Sequence, residues 1–260
     1  MNRSTAHDPD WLNVAIEAAK AAEAVAMSFF QSDLVVETKD DHSPVTEADR
    51  ACERAIRSVL AEHCPTHAVF GEEYGQHGQS RHLWLIDPID GTRSFIRGLP
   101  FWSIQIALMV DDELVVGVSS APAFGERAEA MVGRGARLND QPMAVRELDD
   151  VAASDVSLGN IRSLAKSPQW PWLGQLIEKA ARTRGYGDFY SYHRLAMGQQ
   201  DVVIESDVNV LDIAALTVIV REAGGHITDL QGRPIDADTT SILAACPGLH
   251  AQLLQDLLCF

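Results

Sequence analysis

The sequence is organised around Trp84-Leu85-Ile86-Asp87-Pro88-Ile89-Asp90-Gly91-Thr92. The apolar run that ends at Ile86 is typical of a buried strand, and two carboxylates three residues apart follow it. Pro88 fixes its own φ and keeps Asp87 out of helical conformation, so the two carboxylates and the Ile89 carbonyl can converge on one point. Oxygen ligands on a stiff turn suit a hard divalent cation.

A short helical segment, Arg93 to Arg97, is predicted directly after this turn. Free amides at a helix start bind phosphate, so a phosphate group would lie beside the carboxylates. By itself the motif is equally typical of a solvated turn that happens to carry two acids.

Further acids follow or precede other predicted elements. Glu72 and Glu73 come after the apolar run Ala68 to Phe70, and Asp212 opens a helical pattern that extends to Glu222. Acids gathered in one pocket would repel by about 4 kcal/mol per pair at about 4 Å and an effective dielectric constant of about 20. Bound cations would remove that cost, so the pattern favours a metal site over a solvated turn.

In three motifs the sequence resembles the inositol-monophosphatase-like, magnesium-dependent, lithium-sensitive phosphatases. The motifs are Gly71-Glu72-Glu73, Trp84 to Thr92, and Asn209-Val210-Leu211-Asp212-Ile213-Ala214-Ala215-Leu216 leading to Glu222-Ala223-Gly224-Gly225. Their order and spacing extend over most of the chain. The resemblance implies a phosphoric monoester hydrolase that uses two or three Mg²⁺ ions per active site and generally forms a homodimer.

The resemblance also implies a role for each matching residue. The first Mg²⁺ would be held by Glu72, Asp87 and the Ile89 carbonyl, and the second by Asp87, Asp90 and Asp212. The Gly91 and Thr92 amides would bind the phosphate, while the Thr92 hydroxyl and Glu72 orient and deprotonate the attacking water. Many relatives carry tryptophan before the last metal aspartate, whereas this chain has Leu211, which we expect to alter packing rather than ligation.

Asp49 permits two interpretations. Thr46 and Asp49 have the spacing of a capping box at the start of a helix that extends to His63. The polar loop Lys39 to Asp49 also matches the family's lysine-containing segment with its Thr-x-x-Asp, in which the aspartate helps to hold an additional, weaker metal and its water.

Substrate choice must come from residues that do not ligate metal, and two acids stand out, Asp188 and Glu205. The stretches Gly91 to Pro100 and Thr183 to Tyr192 resemble the histidinol-phosphate phosphatase branch. L-histidinol phosphate carries an ammonium and an imidazole, which carboxylates bind through charge-assisted hydrogen bonds. The alternative is that Asp188 only caps the following helix, in which case an inositol phosphate or another sugar phosphate becomes the leading substrate. A catalytically vestigial binding protein is a third possibility.

The remaining pattern predicts an α/β protein with an α+β N-terminal half, compatible with the family's layered αβαβα sandwich of the inositol-monophosphatase/fructose-bisphosphatase type. Predicted helices cover about 11–30, 46–63, 172–182, 189–197, 212–222 and 249–258, and predicted strands include 82–86, 103–110, 114–120, 128–132, 136–138, 201–205, 226–229 and 241–245. The weakly patterned segment 149–167 is interpreted as a connection between an N-terminal lobe, 1–148, and a C-terminal lobe, 149–260.

Composition restricts the partners. The chain has 260 residues and a formal net charge of −16, which argues against nucleic acid or an anionic membrane as a partner and favours a small phosphomonoester substrate. Its four cysteines are scattered, without a Cys-x-x-Cys pair, and no apolar run is long enough to span a bilayer. We therefore expect a cytoplasmic protein.

Overall fold

A computed structural model describes residues 10–32, 36–38 and 44–260. The helices are α1 (Trp11–Phe29), α2 (Glu47–His63), α3 (Thr92–Ile96), α4 (Ile161–Leu164), α5 (Trp170–Lys179), α6 (Asp188–Ala196), α7 (Val210–Glu222) and α8 (Pro247–Cys259). The strands are β1 (Val36–Thr38), β2 (Pro44–Thr46), β3 (Ala68–Gly71), β4 (Gly75–His77), β5 (His82–Asp90), β6 (Ser103–Val110), β7 (Glu113–Ala121), β8 (Glu126–Met131), β9 (Ala136–Leu138), β10 (Gln141–Pro142), β11 (Asp155–Leu158), β12 (Arg182–Arg184), β13 (Val202–Ser206), β14 (His226–Thr228) and β15 (Ser241–Ala245). Within these residues no helix combines the length and apolar character needed to cross a membrane.

Two large sheets carry the fold. The first has the order β10-β9-β8-β7-β6-β5-β3-β4 and is antiparallel apart from the parallel pair β3 and β5. The second has the order β12-β11-β13-β15-β14, with β11 parallel to both of its neighbours. A small two-stranded sheet pairs β1 with β2 ahead of α2.

Helices lie in three layers around these sheets. Apolar faces of α1 and α2 cover one side of the first sheet, where Ala18 and Ile56 pack with Ile104 and Ile106. Helices α6 and α7 fill the space between the sheets. Helices α5 and α8 cover the outer side of the second sheet. The predicted αβαβα sandwich is confirmed.

Helix α7 is apolar on nearly its whole circumference because it contacts both sheets. Ala215 and Val218 pack with residues of the first sheet, whereas Leu216 and Val220 pack with residues of the second. Gly117 on β7 allows this close approach, since a Cβ there would lie 2.3 Å from the Ala215 carbonyl oxygen. The first residues of α7 are thereby held at a fixed position between the two sheets.

Most predicted elements are confirmed to within a few residues, including the hairpin of β6 with β7 and the hairpin of β8 with β9. The interpretation of 149–167 as a plain connection is wrong. It contains β11, which lies inside the second sheet, and the single-turn helix α4. The predicted helix 172–182 ends at Lys179, and the edge strand β12 follows it. Residues 39–43 of the predicted polar loop lie outside the described residues.

Candidate active site

The predicted strand ended at Ile86, whereas β5 continues to Asp90 through a bulge. Asp87 pairs with Gln105 and Asp90 with Ser103, so three residue steps on β5 correspond to two on β6. The extra residue bends the strand while its pairing continues. Within the bulge the Ile89 amide donates to Asp87 Oδ1 at 3.0 Å, which fixes that carboxylate.

Asp212 reaches the same place from the start of α7. Asn209 caps the helix: its side-chain oxygen accepts from the Leu211 amide at 2.8 Å, and its own amide donates to Asp212 Oδ2 at 2.9 Å. This is a capping box, so the rotamer of Asp212 is set by the helix start. Carboxylate oxygens of Asp87, Asp90 and Asp212 all lie within 4.8 Å of one another. The predicted convergence of these three acids is confirmed.

Asp49 closes the predicted capping box and also contacts the turn after β5. One carboxylate oxygen closes the capping box of α2, accepting from the Thr46 amide at 2.8 Å. The other accepts from the Thr92 hydroxyl at 3.3 Å. The same hydroxyl lies 3.0 Å from the Ile89 carbonyl oxygen. Asp49 therefore links the start of α2 to the turn that carries Asp90.

Glu72 lies in the turn that follows β3. Its amide donates to the Ile86 carbonyl at 3.3 Å, which ties the turn to β5. The Glu72 side chain is exposed, and its charge acts on the buried Asp87 carboxyl. The structure thus places this acid beside the three converging aspartates.

The cluster is electrostatically unfavourable as it stands. Burial raises the pKa of Asp87 and Asp90 well above their ordinary range, and the charges of neighbouring carboxylates raise them further. Burial also raises the pKa of Asp212 to about 6. Carboxylate and carbonyl oxygens at this spacing are the ligands that a hard divalent cation prefers, and a cation would lower the pKa of each acid. The donor set therefore fits a metal.

Gly91 shapes the turn beside this cluster. Its φ is +87°, and an added Cβ would lie 2.7 Å from the Phe101 carbonyl oxygen. Only glycine satisfies both conditions without strain. Helix α3 begins at the next residue, Thr92, so the turn presents backbone amides next to the aspartates, as the sequence predicted.

A cavity of about 100 Å³ adjoins the cluster, and four of the nine residues that line it are acids. Asp188 and Glu205 line it together with Asp90 and Asp212, and the Tyr192 hydroxyl donates to Glu205 at 3.0 Å. Burial raises the pKa of Glu205 to about 7 and that of Asp188 to about 6. A group bound here would meet a strongly negative surface.

The capping interpretation of Asp188 is wrong. Gly187 occupies the N-cap position, and Asp188 is itself the first residue of α6, with a positive φ of 48°. A left-handed conformation is uncommon outside glycine and is found disproportionately at functional sites. Here it places the Asp188 carboxylate in the acidic cavity rather than over the amides of the helix.

Two residues that shape this cavity were not predicted from the sequence. Tyr192 lies one helical turn after Asp188, a spacing that could have revealed it. Gly159 carries no such signal: a Cβ there would lie 2.0 Å from Glu205 Oε1, so its absence makes room for that carboxylate. The contact joins β13 to the loop after β11, and it arises only from the folded sheet.

The sequence profile of the inositol monophosphatase family matches residues 8–259. The chain belongs to the inositol monophosphatase family. As a member of that family it is a phosphoric monoester hydrolase.

Two relatives and one solved structure place it within the inositol monophosphatase family. It is 40% identical to a histidinol-phosphatase from Streptomyces coelicolor, over 95% of this chain and 97% of that one. It is 38% identical to a histidinol-phosphatase from Chlorobaculum parvum, over 95% of each chain. The structure of an inositol monophosphatase from Zymomonas mobilis superposes with a TM-score of 0.85 at 31% identity, over 98% of this chain and 100% of that one.

The metal-free protein is expected to lose stability as the pH rises from about 5 to about 8. Burial raises the pKa of Glu205 from its ordinary value of 4.5 to about 7 in the folded protein. Between these values the folded state binds a proton that the unfolded state has released, so the free energy of unfolding falls as pH rises through that window. Melting temperatures measured in EDTA across this range check the prediction.

The Glu205→Gln variant isolates this contribution, because glutamine still accepts from Tyr192 but carries no charge. Its melting temperature at about pH 8 should exceed that of the unmodified protein by several degrees, with a smaller difference at about pH 5. An identical pH dependence in both proteins would contradict the assignment of the effect to Glu205.

Proposed function

We propose that the protein hydrolyses L-histidinol phosphate to L-histidinol and phosphate, a step of histidine biosynthesis. The observation that carries this proposal is the acidic cavity, where Asp188 and Glu205 lie beside Asp90 and Asp212. The ammonium and imidazole groups of L-histidinol suit the carboxylates of half-buried Asp188 and buried Glu205. The similarity to histidinol-phosphatases over nearly the whole chain supports the same substrate.

We propose two or three Mg²⁺ ions per active site. The residues that would hold them are Glu72, Asp87 and the Ile89 carbonyl for the first, Asp87, Asp90 and Asp212 for the second, and Asp49 for an additional, weaker one. When bound, the cations would lower the pKa of water and withdraw charge from the phosphate. The raised pKa values of Asp87 and Asp90 support this assignment, since a positive partner stabilises their ionised forms.

The remaining roles fall to the turn after β5 and to Glu72. The Gly91 and Thr92 amides bind oxygens of the phosphate. The Thr92 hydroxyl, held by Asp49 at 3.3 Å, orients the attacking water, and the Glu72 carboxylate accepts its proton. No serine, cysteine or histidine nucleophile takes part in this scheme. Asp188 and Glu205 orient the alcohol portion of the substrate from the other side of the cavity.

The second candidate function is hydrolysis of inositol 1-phosphate or another sugar phosphate. The fold shared with the Zymomonas mobilis inositol monophosphatase favours it. A neutral polyol gains less than a cation from the two extra carboxylates, which is why L-histidinol phosphate ranks first. A vestigial binding protein is the weakest candidate, because the sequence has an acid at each carboxylate position that the family resemblance implies.

The test is phosphate release from L-histidinol phosphate and from inositol 1-phosphate, measured side by side with Mg²⁺ and with EDTA. We expect the larger kcat/KM for L-histidinol phosphate and no release in EDTA. A preference for inositol 1-phosphate would overturn the substrate assignment and leave the metal assignment intact. Failure to hydrolyse either substrate would favour the vestigial alternative.

Three broader proposals accompany this function. The lobes 1–148 and 149–260 would correspond to the two large sheets, whose strands fall at 68–142 and 155–245. We also propose a homodimer, because members of the family generally form one. A cytoplasmic location would suit a biosynthetic phosphatase with scattered cysteines.

A further inference from the structure

We propose that Gln105 and Ser103 act as positioning residues that aim Asp90 at its cation. Both lie on β6 directly across from the bulge, with Ser103 paired to Asp90 and Gln105 paired to Asp87. Because side chains alternate along a strand, Ser103 and Gln105 point to the same side of the sheet. This inference rests on the metal-ligand role proposed above for Asp90.

The hydrogen bonds form a chain that runs from Gln105 to Asp90. Gln105 Nε2 donates to Ser103 Oγ at 2.8 Å, and Ser103 Oγ donates to Asp90 Oδ2 at 3.2 Å. A carboxylate that ligates a cation is ionised and can only accept, so the proton of Ser103 must point to Asp90. The Ser103 oxygen can then only accept from Gln105. The direction of the chain follows from the charge at its end.

Both residues of this chain are buried: Ser103 is 0% exposed and Gln105 1%. A serine hydroxyl by itself rotates freely among acceptors. With Gln105 occupying a lone pair of its oxygen, the hydroxyl of Ser103 is restricted to the direction of Asp90. One carboxylate oxygen is thereby fixed, and the other is left to ligate.

One atom of the Gln105 side chain lowers the stability of the folded protein. Its Oε1 atom is buried and has no hydrogen-bond partner among the described residues. A buried polar atom without a partner destabilises the folded protein. Rotating the amide by half a turn would let Oε1 accept from Ser103, but it would draw the serine proton away from Asp90. The observed arrangement gives up stability and keeps the hydroxyl aimed at the proposed ligand.

The experiment measures metal binding without substrate, by calorimetric titration with Mg²⁺ and by electron paramagnetic resonance with Mn²⁺. Ser103→Ala is expected to raise the dissociation constant of the tighter affected site about tenfold, as removal of a hydrogen-bond partner of a metal ligand commonly does. Gln105→Leu should raise it by a smaller factor, with an unchanged or higher melting temperature in EDTA. In a Ser103→Ala background, Gln105→Leu should have no further effect on metal affinity.

Ser120→Ala is the matched control. Ser120 is a buried serine on the neighbouring strand β7, and its hydroxyl also bonds a carboxylate, that of Glu23 at 2.6 Å. Its metal affinity should equal that of the unmodified protein. An equal loss of metal affinity in this control would show that any cavity beside β6 disturbs the site. That result would refute the proposed role of the hydrogen-bond chain from Gln105 to Asp90.

Other outcomes are equally decisive. If Gln105→Leu lowers both metal affinity and melting temperature, Gln105 is a packing residue and the proposed positioning role is wrong. The positioning role is also wrong if Gln105→Leu lowers metal affinity as much in the Ser103→Ala background as in the unmodified protein. Asp90→Asn distinguishes the ligand role of Asp90 from the positioning role of Ser103 and Gln105. Normal metal binding by Asp90→Asn would refute both roles. Loss of metal binding in Asp90→Asn with normal binding in Ser103→Ala would refute the positioning role alone.

Discussion

Replacement of Asp87 by asparagine is expected to lower the rate of phosphate release by roughly a thousandfold or more, which corresponds to about 4 kcal/mol of activation free energy. Asp87 is the acid proposed to contact both of the first two cations. It is buried at the centre of the cluster, and its carboxylate is already fixed by the Ile89 amide at 3.0 Å. Asparagine keeps the shape of the side chain but removes the charge and one anionic ligand atom. Steady-state kinetics over a range of Mg²⁺ concentrations measure the loss.

The same variant should melt at a higher temperature than the unmodified protein when both are free of metal. Burial and neighbouring charges raise the pKa of Asp87, so its ionised form opposes folding at neutral pH. Each kcal/mol gained raises the melting temperature by roughly 2–4 °C for a chain of this size. Asp112→Asn, in the exposed turn between β6 and β7, removes one charge far from the cluster. It should change neither the rate of phosphate release nor the melting temperature. Lower stability in Asp87→Asn would show that the acids are not in repulsion.

Replacement of Asp188 by asparagine is expected to raise the KM for L-histidinol phosphate by about tenfold to a hundredfold. The expected factor is that of a charge-assisted hydrogen bond lost from a partly dehydrated pocket, about 1.5–3 kcal/mol. The positive φ of Asp188 does not prevent the substitution, because asparagine tolerates the left-handed conformation. Initial rates on L-histidinol phosphate and on inositol 1-phosphate measure the two KM values.

Inositol 1-phosphate serves as the internal control for this variant, since a neutral polyol forms no ion pair with Asp188. Its KM and kcat should stay nearly unchanged. Equal losses on both substrates would mean that Asp188 supports the backbone of the loop between β12 and α6. In that case Glu205 would remain as the acid that binds the cationic end of the substrate.

Locally encoded features were predictable from the sequence. The capping box from Thr46 to Asp49 was predicted from residues three apart, and the structure contains it. The same spacing encodes a capping box from Asn209 to Asp212, although α7 was predicted to begin only at Asp212. The convergence of Asp87 with Asp90 was predicted from Pro88 between them. The bulge that continues β5 through these residues was not predicted, because it depends on pairing with β6.

Features that depend on distant contacts were missed. Strand β11 has only four residues, and its pairing with β12 and β13 stabilises a segment without a strong pattern of its own. The fit of Glu205 over Gly159 and the chain from Gln105 to Asp90 likewise join segments that are far apart in sequence. The roles of the site residues remain predictions until the variants are measured.

The central position of α7 has a consequence for biosynthesis of the protein. Asp87 and Asp90 leave the ribosome roughly 120 residues before Asp212, an interval on the order of ten seconds at ordinary rates of translation. During that interval the first sheet lacks both the last acid and the helix layer that holds it. We therefore expect a nascent chain to compete weakly for cations and to bind them only after α7 has docked.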